Sequence, residues 1–287
     1  MNNAGHGKLA PIFIVGVEHS GTTILYRILA QHPEIAWFSQ YSLRSGEIPG
    51  RRKVPLNDWI NRIGRKTLPT TWRKSFKGIY KLIPTPMEPH QIWNHLLPGQ
   101  QMFFTTKDCN SGVISKIHYT CQKELNDWQK PHLIIKLPRL SRAVLLLNAV
   151  FPDAFFVHII RDGKAVALSN QHKFARSPLG AVSSLRLSCG YWRDVVNHLL
   201  EAQKRIGESR FLLTKYEHLC EDVKGTLSRI CEFCHVPYAA QFFRNVPQFL
   251  KVTNDRWYTD ASIEERQLIN EILSPTLEEV GYTPFDH

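Results

Sequence analysis

The sequence predicts an α/β fold of three layers, in which helices flank a central parallel sheet. Short apolar runs rich in β-branched residues alternate along the chain with longer stretches that have the apolar period of a helix. Each run fits a strand that is buried on both faces, as in a parallel sheet. The chain has 287 residues, of which 43% are hydrophobic. That length suits one such unit, and we expect a single domain over residues 1–287.

The first strand and the helix after it are joined by a loop with phosphate-binding character. The strand is expected over Pro11–Val15, and the helix that begins near Thr23 ends before Pro33. Between them, Gly16 and Gly21 have the G-x-x-x-x-G spacing of a P-loop. Free N–H groups at the helix N-terminus and the helix dipole would face an anion held there. The sequence therefore predicts a P-loop-like anion site.

The loop lacks the lysine of the nucleoside triphosphatases. That lysine serves the β- and γ-phosphates, and here Thr22 occupies its position, with Thr23 at the Ser/Thr position that follows. The difference favours a donor with a shorter anionic chain and no obligatory Mg²⁺. The residues predicted to bind it are those at the tip of the loop: His19, Ser20, Gly21, Thr22 and Thr23.

Three elements resemble those of the sulfotransferases that use 3′-phosphoadenosine-5′-phosphosulfate (PAPS). Ser20-Gly-Thr-Thr23 resembles the 5′-phosphosulfate loop of that family, which binds through backbone N–H groups of all four residues. The stretches 155–169 and 211–219 resemble its 3′-phosphate strand and its strand ending in Tyr-Glu-x-Leu. The likeness is greatest to the tyrosylprotein-type and bacterial small-molecule branches. It implies in-line transfer of a sulfonate from PAPS to a hydroxyl or amine acceptor, with no metal required.

The resemblance also implies which residues surround the nucleotide. Arg161 ends a predicted strand and Ser169 lies eight residues on, the family's spacing for the pair that holds the 3′-phosphate. Tyr216 would border the nucleotide. A basic residue from the tail would close over the 3′-phosphate, and Lys251 matches better in order than Arg256.

Two residues are predicted to be catalytic. Lys136 lies at the carboxyl end of the predicted strand Leu133–Leu137, where ligands bind in parallel sheets. The family resemblance implies that Lys136, two residues before Pro138, neutralises the transferring sulfonate. His19 stands where the family usually has lysine or arginine, so its positive charge depends on pH. It would stabilise the leaving group, or leave that role to Lys136.

The sequence does not identify a single catalytic base. The cytosolic branch's histidine is replaced by Pro138, and the tyrosylprotein branch's glutamate has no clean match after the first helix. The candidates are Glu47, His118, His90 and His172.

A segment at about residues 42–98 differs in character from the rest. Basic and aromatic residues are interleaved there with seven prolines. We interpret this segment as a lid-like insertion over the acceptor site. Two alternatives are a solvated basic face and, over Trp72–Leu82, a basic amphipathic helix in peripheral contact with a membrane.

The net charge of +11 and the pI of about 9.4 favour an anionic partner. PAPS is such a partner, and the acceptor is not identified by the sequence. Two other functions remain: a P-loop-type kinase, and a non-catalytic protein that binds a polyanion or a membrane surface. We do not expect nucleic acid to be the partner, because that hypothesis leaves both predicted anion loops unexplained.

The remaining expectations concern location and packing. Residues 1–9 have no apolar segment typical of a signal peptide, so we expect a cytoplasmic protein. Cys231 and Cys234 form an isolated C-x-x-C that we interpret as core packing rather than a zinc site. In the tail, a helix is expected over Ala261–Leu273, with Ser274 and Pro275 starting one more short helix.

Overall fold

The computed structural model describes residues 9–39, 42, 86–97, 99, 101–108, 110–174, 181–252, 254, 259 and 261–285, without the side chains of 171–174 and 181–182. Most of the lid-like insertion, including Glu47 and Trp72–Leu82, lies outside these residues, as does Arg256. The expectations placed on them stay predictions.

Five strands form one parallel sheet. They are β1 (Ile12–Val15), β2 (Ile35–Trp37), β3 (His132–Lys136), β4 (Phe155–Ile160) and β5 (Phe211–Lys215), in the spatial order β2-β3-β1-β4-β5. The strands expected over Pro11–Val15 and Leu133–Leu137 correspond to β1 and β3, and their bounds agree to within about one residue. The predicted fold class, a P-loop-like α/β fold with a central parallel sheet, is confirmed.

Helices lie between the strands and, from Tyr216 onward, after β5. They are α1 (Thr22–Leu29), α2 (His90–Leu96), α3 (Ser111–Trp128), α4 (Val144–Val150), α5 (Gly163–Phe174), α6 (Ala181–Ile206), α7 (Tyr216–Glu221), α8 (Val223–Phe233), α9 (Ala240–Asn245) and α10 (Ile263–Glu279). Short 3₁₀ turns occupy Thr106–Asp108 and Pro138–Arg142.

Aromatic packing on the sheet explains why helices cover both of its faces. Phe13, Phe156 and Phe211 are register partners on neighbouring strands, so their rings share one face. Their ring centroids lie 5.4 Å and 6.0 Å apart, and Phe151, just after α4, lies 5.9 Å from Phe13. Phe155 points to the opposite face, where its ring lies 5.5 Å from that of Phe233 in α8. The sheet is thus the middle layer of three.

The strand order places a ligand crevice beside β1. After β1 the chain forms β2 and β3 on one side, and then crosses to form β4 and β5 on the other. In open parallel sheets, ligands bind at the carboxyl ends of the strands where this reversal occurs. The loops that follow β1 and β4 meet at that point.

The expectation of a separate helix at Ser274 and Pro275 was wrong. Pro275 lies inside α10, which continues to Glu279. A proline within a helix loses one backbone hydrogen bond and strains the preceding turn. The helix continues because the residues after the proline are buried: Leu277 is fully enclosed and Val280 is 6% exposed. Tertiary burial outweighs the local helix-breaking tendency.

The cysteine expectation agrees with the structure. Cys231 and Cys234 are buried free thiols in or next to α8. Burial raises the pKa of Cys231 to about 11, and it also raises the pKa of Cys234. Both side chains therefore stay protonated and pack as small apolar groups. Among the residues that the structure describes, no helix is both long and apolar enough to cross a bilayer.

Candidate active site

The loop after β1 is anchored to the neighbouring strands at its first glycine. The buried hydroxyl of Ser141 accepts a hydrogen bond from the Gly16 N–H and donates one to the Gly16 carbonyl, both at 2.9 Å. A Cβ at Gly16 would lie 2.4 Å from the carbonyl oxygen of Ile159 in β4. Only glycine therefore fits at position 16, where the end of β1 lies against β4. This close contact fixes the direction in which the loop leaves the sheet.

The second glycine of the loop packs against an aromatic ring. Gly21 has a φ of +87°, and a Cβ there would lie 2.3 Å from the ring of Tyr216. Gly21 is also the N-cap of α1, and a glycine has no side chain with which to cap the helix start. The N–H groups at the start of α1 are therefore available to an anion in front of the loop.

Ser20 contributes to the loop differently from the expectation. Its N–H donates to the Val17 carbonyl at 3.2 Å, so this group closes the turn rather than facing an anion. Its hydroxyl oxygen is buried and has no hydrogen-bond partner among the described residues. A buried polar atom without a partner is costly unless a ligand satisfies it. The hydroxyl, rather than the N–H, fits the predicted phosphate contact.

Arg161, directly after β4, reaches the same loop. Its Nη1 donates to the His19 carbonyl at 2.9 Å, and its guanidinium lies 4.8 Å from the ring centre of Tyr216. The side chain is only 7% exposed. Burial, aided by a hydrogen bond with Cys220, raises the pKa of Tyr216 to about 12, so the phenol stays neutral beside the arginine.

His19 joins the two predicted phosphate sites. The backbone at His19 has a φ of +68°, a left-handed conformation that costs energy for a residue with a side chain. Its carbonyl contacts Arg161, and its Nδ1 lies 3.4 Å from the hydroxyl of Ser169 in α5. The structure thus brings the loop after β1 together with both residues predicted to hold a 3′-phosphate.

A polar network from the tail holds Arg161 from its other side, and sequence reasoning missed it. Asn254 accepts a hydrogen bond from Arg161 Nε at 2.8 Å and donates to Glu217 Oε1 at 2.7 Å. The Tyr282 hydroxyl donates to the other Glu217 oxygen at 2.6 Å. Lys251, the tail residue expected near the 3′-phosphate, is exposed in the structure. The Tyr-Glu pair at 216–217 was the available signal for this network.

Lys136 ends β3 at the mouth of the loop, as expected. Its Nζ donates to Thr23 Oγ1 at 2.9 Å and also contacts the carboxylate of Glu88. The lysine side chain is 3% exposed, whereas that of Glu88 is 26% exposed. The other oxygen of Glu88 lies 3.0 Å from Nε2 of His90. Glu88 was not among the residues that the sequence singled out.

Among the candidate bases, the structure describes the side chains of His118 and His90. His118 contacts the Val150 carbonyl at 2.8 Å and packs against Phe151, contacts that belong to the core between α3 and α4. His90 lies beside Glu88 at the start of α2. Glu47 and the side chain of His172 lie outside the described residues.

One acidic side chain also lies within the loop. Glu18 lies close to the hydroxyl of Tyr191 in α6, and Arg142 lies close to the same tyrosine. Burial and the nearby Glu18 carboxylate raise the pKa of Tyr191. The contact directs Glu18 toward α6.

The family model for the Sulfotransferase family matches residues 11–240. The chain belongs to the sulfotransferase family. The match includes β1 to β5, the loop after β1, Lys136, Arg161 and Tyr216.

Two curated relatives agree with this membership, and a solved structure shares the fold. Protein-tyrosine sulfotransferase A of Caenorhabditis elegans is 27% identical over 237 residues, which cover 82% of this chain and 52% of that protein. Omega-hydroxy-beta-dihydromenaquinone-9 sulfotransferase Stf3 of Mycobacterium bovis is 25% identical over 95% of this chain and 75% of its own length. Sulfotransferase STF9 from Mycobacterium avium shares the fold, with a TM-score of 0.59 at 18% identity, over 98% of this chain and 79% of that one. The chain spans about half the length of the nematode relative.

Proposed function

We propose that this sulfotransferase-family chain transfers a sulfonate from PAPS to a hydroxyl acceptor. The main observation behind the proposal is that His19 contacts both predicted anion sites, the loop after β1 and the pair Arg161 and Ser169. Its carbonyl accepts from Arg161 at 2.9 Å, and its ring lies 3.4 Å from the Ser169 hydroxyl. A ligand that spans both sites needs two phosphates a short distance apart. The nucleotide part of PAPS carries a 5′- and a 3′-phosphate on one ribose.

The loop after β1 would hold the 5′-phosphate. Gly21, Thr22 and Thr23 offer N–H groups at the start of α1, and Ser20 offers its buried hydroxyl. Donors that the fold holds in place need little reorganisation as charge develops on the leaving oxygen.

Arg161 and Ser169 would hold the 3′-phosphate, with Tyr216 beside the nucleotide. An arginine suits this role because its planar donor set can bind two phosphate oxygens at once. Lys251, whose side chain is exposed, would add a charge from the tail.

Lys136 and His19 would stabilise the transfer. Lys136 is buried at the mouth of the loop, where its positive charge acts in a site shielded from water. It would neutralise the sulfonate oxygens during in-line displacement. His19 would assist the leaving phosphate when its ring is protonated, so this contribution is expected to weaken as the pH rises.

The acceptor is proposed to be a hydroxyl because the names of both relatives specify one: a protein tyrosine and an omega-hydroxy group. The proposal includes a cytoplasmic location. An amine acceptor and peripheral membrane contact through residues 72–82 remain alternatives.

Calorimetry with the product nucleotide, 3′-phosphoadenosine-5′-phosphate (PAP), tests the donor. We expect one PAP to bind per chain with a Kd in the micromolar range or below, and ATP to bind more weakly. Arg161→Ala should reduce PAP affinity by about tenfold to a hundredfold, because a charged hydrogen-bonding group is lost. Arg210→Ala is the matched control, since Arg210 donates to Asn148 at 2.7 Å and lies before β5, at the opposite end of the strand from Tyr216.

Equal or tighter binding of ATP would contradict the proposal and favour a P-loop-type kinase. PAP binding that ignores Arg161 would contradict the assignment of the 3′-phosphate site. Binding of many nucleotides per chain, weakened uniformly by salt, would favour a non-catalytic polyanion-binding protein.

A further inference from the structure

We propose that Glu88 is the catalytic base, taking the proton of the acceptor hydroxyl during sulfonate transfer. The inference rests on the proposed function and names the group that the reaction still lacks. The carboxylate of Glu88 contacts Lys136, the lysine expected beside the sulfonate.

Contact with Lys136 places Glu88 at the reacting centre. A lysine ammonium has three N–H donors. One donates to Thr23 of the loop and one to Glu88, so a third can meet a sulfonate oxygen. Glu88 therefore lies one side chain away from the transferred group. A base at this distance can reach the hydroxyl that attacks the sulfur.

The backbone next to Glu88 is held from two sides. The N–H of Met87 donates to the Phe38 carbonyl at 3.0 Å, and the Tyr26 hydroxyl donates to the Met87 carbonyl at 3.2 Å. Phe38 follows β2 and Tyr26 belongs to α1. These contacts attach the segment before α2 to the sheet and the loop helix, so the carboxylate is positioned by the fold.

Glu88 is a better base than Glu124, the other carboxylate that acts on Tyr26. Glu124 is 4% exposed, and its Oε1 already accepts from the Ser42 hydroxyl at 2.9 Å and the Trp128 indole at 3.0 Å. Glu88 is partly exposed, so an acceptor can approach it. Burial, Glu124 and Glu88 raise the pKa of Tyr26, which keeps that neighbouring phenol neutral and unable to serve as the base.

Sulfonate transfer with Glu88 as the base is a single displacement in which the bonds, electrons and proton are all accounted for. The acceptor oxygen forms a bond to sulfur, while the bond from sulfur to the bridging oxygen breaks and its electron pair leaves with PAP. The proton of the acceptor passes to a carboxylate oxygen of Glu88. His90, whose Nε2 lies 3.0 Å from Glu88 and whose side chain is 59% exposed, then offers a route for that proton to water.

A series of phenol acceptors separates a base from a residue that only positions Lys136. Phenols that are weak acids need a base, whereas 4-nitrophenol is already largely ionised in mildly alkaline buffer. With PAPS as donor, Glu88→Gln should lower kcat/KM for weakly acidic phenols by about a hundredfold or more. The loss should shrink steadily as the phenol becomes more acidic. Glu201→Gln, which removes an ion pair with Arg205 on the exposed side of α6, is the matched control and should change neither rate.

The outcomes distinguish the two proposals. PAP affinity, measured on the same variants, should be unchanged in Glu88→Gln, which also shows that the variant is folded. An equal rate loss for every phenol, or no loss, would overturn the role of Glu88 while leaving sulfotransfer intact. If no phenol is turned over, PAPS hydrolysis gives the same comparison with water as acceptor, and an unchanged rate in Glu88→Gln would overturn the inference. Failure of the wild type to bind PAP would instead contradict the proposed function.

Discussion

The loop at residues 16–23 and the side chain of Arg161 face the same crevice but are held by different parts of the chain. The loop is fixed by residues at the ends of neighbouring strands: Ser141 binds both backbone groups of Gly16, and Tyr216 packs on Gly21. Arg161 is fixed by the loop on one side and by Asn254 from the tail on the other.

This difference indicates how each site responds to change. The loop is shaped by the sheet, which is the most deeply buried part of the fold, so its geometry has little freedom. Arg161 depends on a tail contact that passes through Glu217 to Tyr282. We therefore expect changes in the loop to weaken nucleotide binding more than changes in the tail network do.

The largest effect is expected from Gly21→Ala. The added Cβ would lie 2.3 Å from the Tyr216 ring, and the φ of +87° is unfavourable for alanine. Either the ring or the loop must move, and both belong to the proposed nucleotide site. We expect PAP affinity, measured by calorimetry, to fall by at least about tenfold.

Gly207→Ala is the matched control for that change. Gly207 has the same φ of +87°, but a Cβ there would meet nothing within 4 Å. It should lose about 1 kcal/mol of stability through backbone strain and leave PAP binding unchanged. Equal PAP affinity in the two variants would contradict the view that the Tyr216 contact shapes the loop.

A smaller effect is expected from Asn254→Ala. The change removes the hydrogen bonds to Arg161 Nε and Glu217 but leaves the arginine and its contact with His19. Loss of about 1 kcal/mol of positioning should weaken PAP binding several-fold, less than Arg161→Ala does. Adenosine 5′-monophosphate, which lacks the 3′-phosphate, should bind the variant and the wild type alike.

Asn148→Ala controls for loss of an asparagine that contacts an arginine elsewhere, since Asn148 accepts from Arg210 at 2.7 Å. A drop in affinity for adenosine 5′-monophosphate as large as the drop for PAP would show that Asn254 acts on the whole site. Asn254 would then support the loop as well as Arg161, and the two regions would not be held independently.

The parts of the site that the sequence predicted are those with local signals. Strands of four to six buried residues stand out in the sequence, and each predicted site residue at a strand end follows from its strand. Lys136 was found from the end of its predicted strand, Gly16 from the loop spacing that it shares with Gly21, and Arg161 from the family resemblance of its strand. The parallel sheet then brings their strand ends to one edge.

The parts that were missed depend on contacts between distant segments. Glu88 meets a lysine 48 residues away, and Asn254 meets an arginine 93 residues away. Neither lies in a periodic segment that fixes its direction in advance. The wrong break at Pro275 has a related cause, because the burial of Leu277 is a tertiary effect that local helix rules do not include.

The smallest effect on PAP affinity at neutral pH is expected from His158→Leu. His158 lies in β4, the strand that Arg161 follows. The His158 ring is fully buried in β4, and neither nitrogen has a hydrogen-bond partner among the described residues. Burial lowers its pKa to about 3, whereas the unfolded chain has a histidine pKa of about 6.5.

Between these two pH values the unfolded state binds a proton that the folded state does not, so stability falls as the pH falls. Replacing His158 with leucine removes this linkage and should make the loss shallower by up to about 1.4 kcal/mol per pH unit. Urea denaturation of both proteins at several pH values measures the slopes, and PAP affinity at neutral pH should be the same. Parallel slopes would mean that the buried ring is protonated without cost, and acid would then not act through the strand that supports Arg161. A shallower slope in the variant would show that the strand behind Arg161 is sensitive to acid through a residue that never touches the nucleotide.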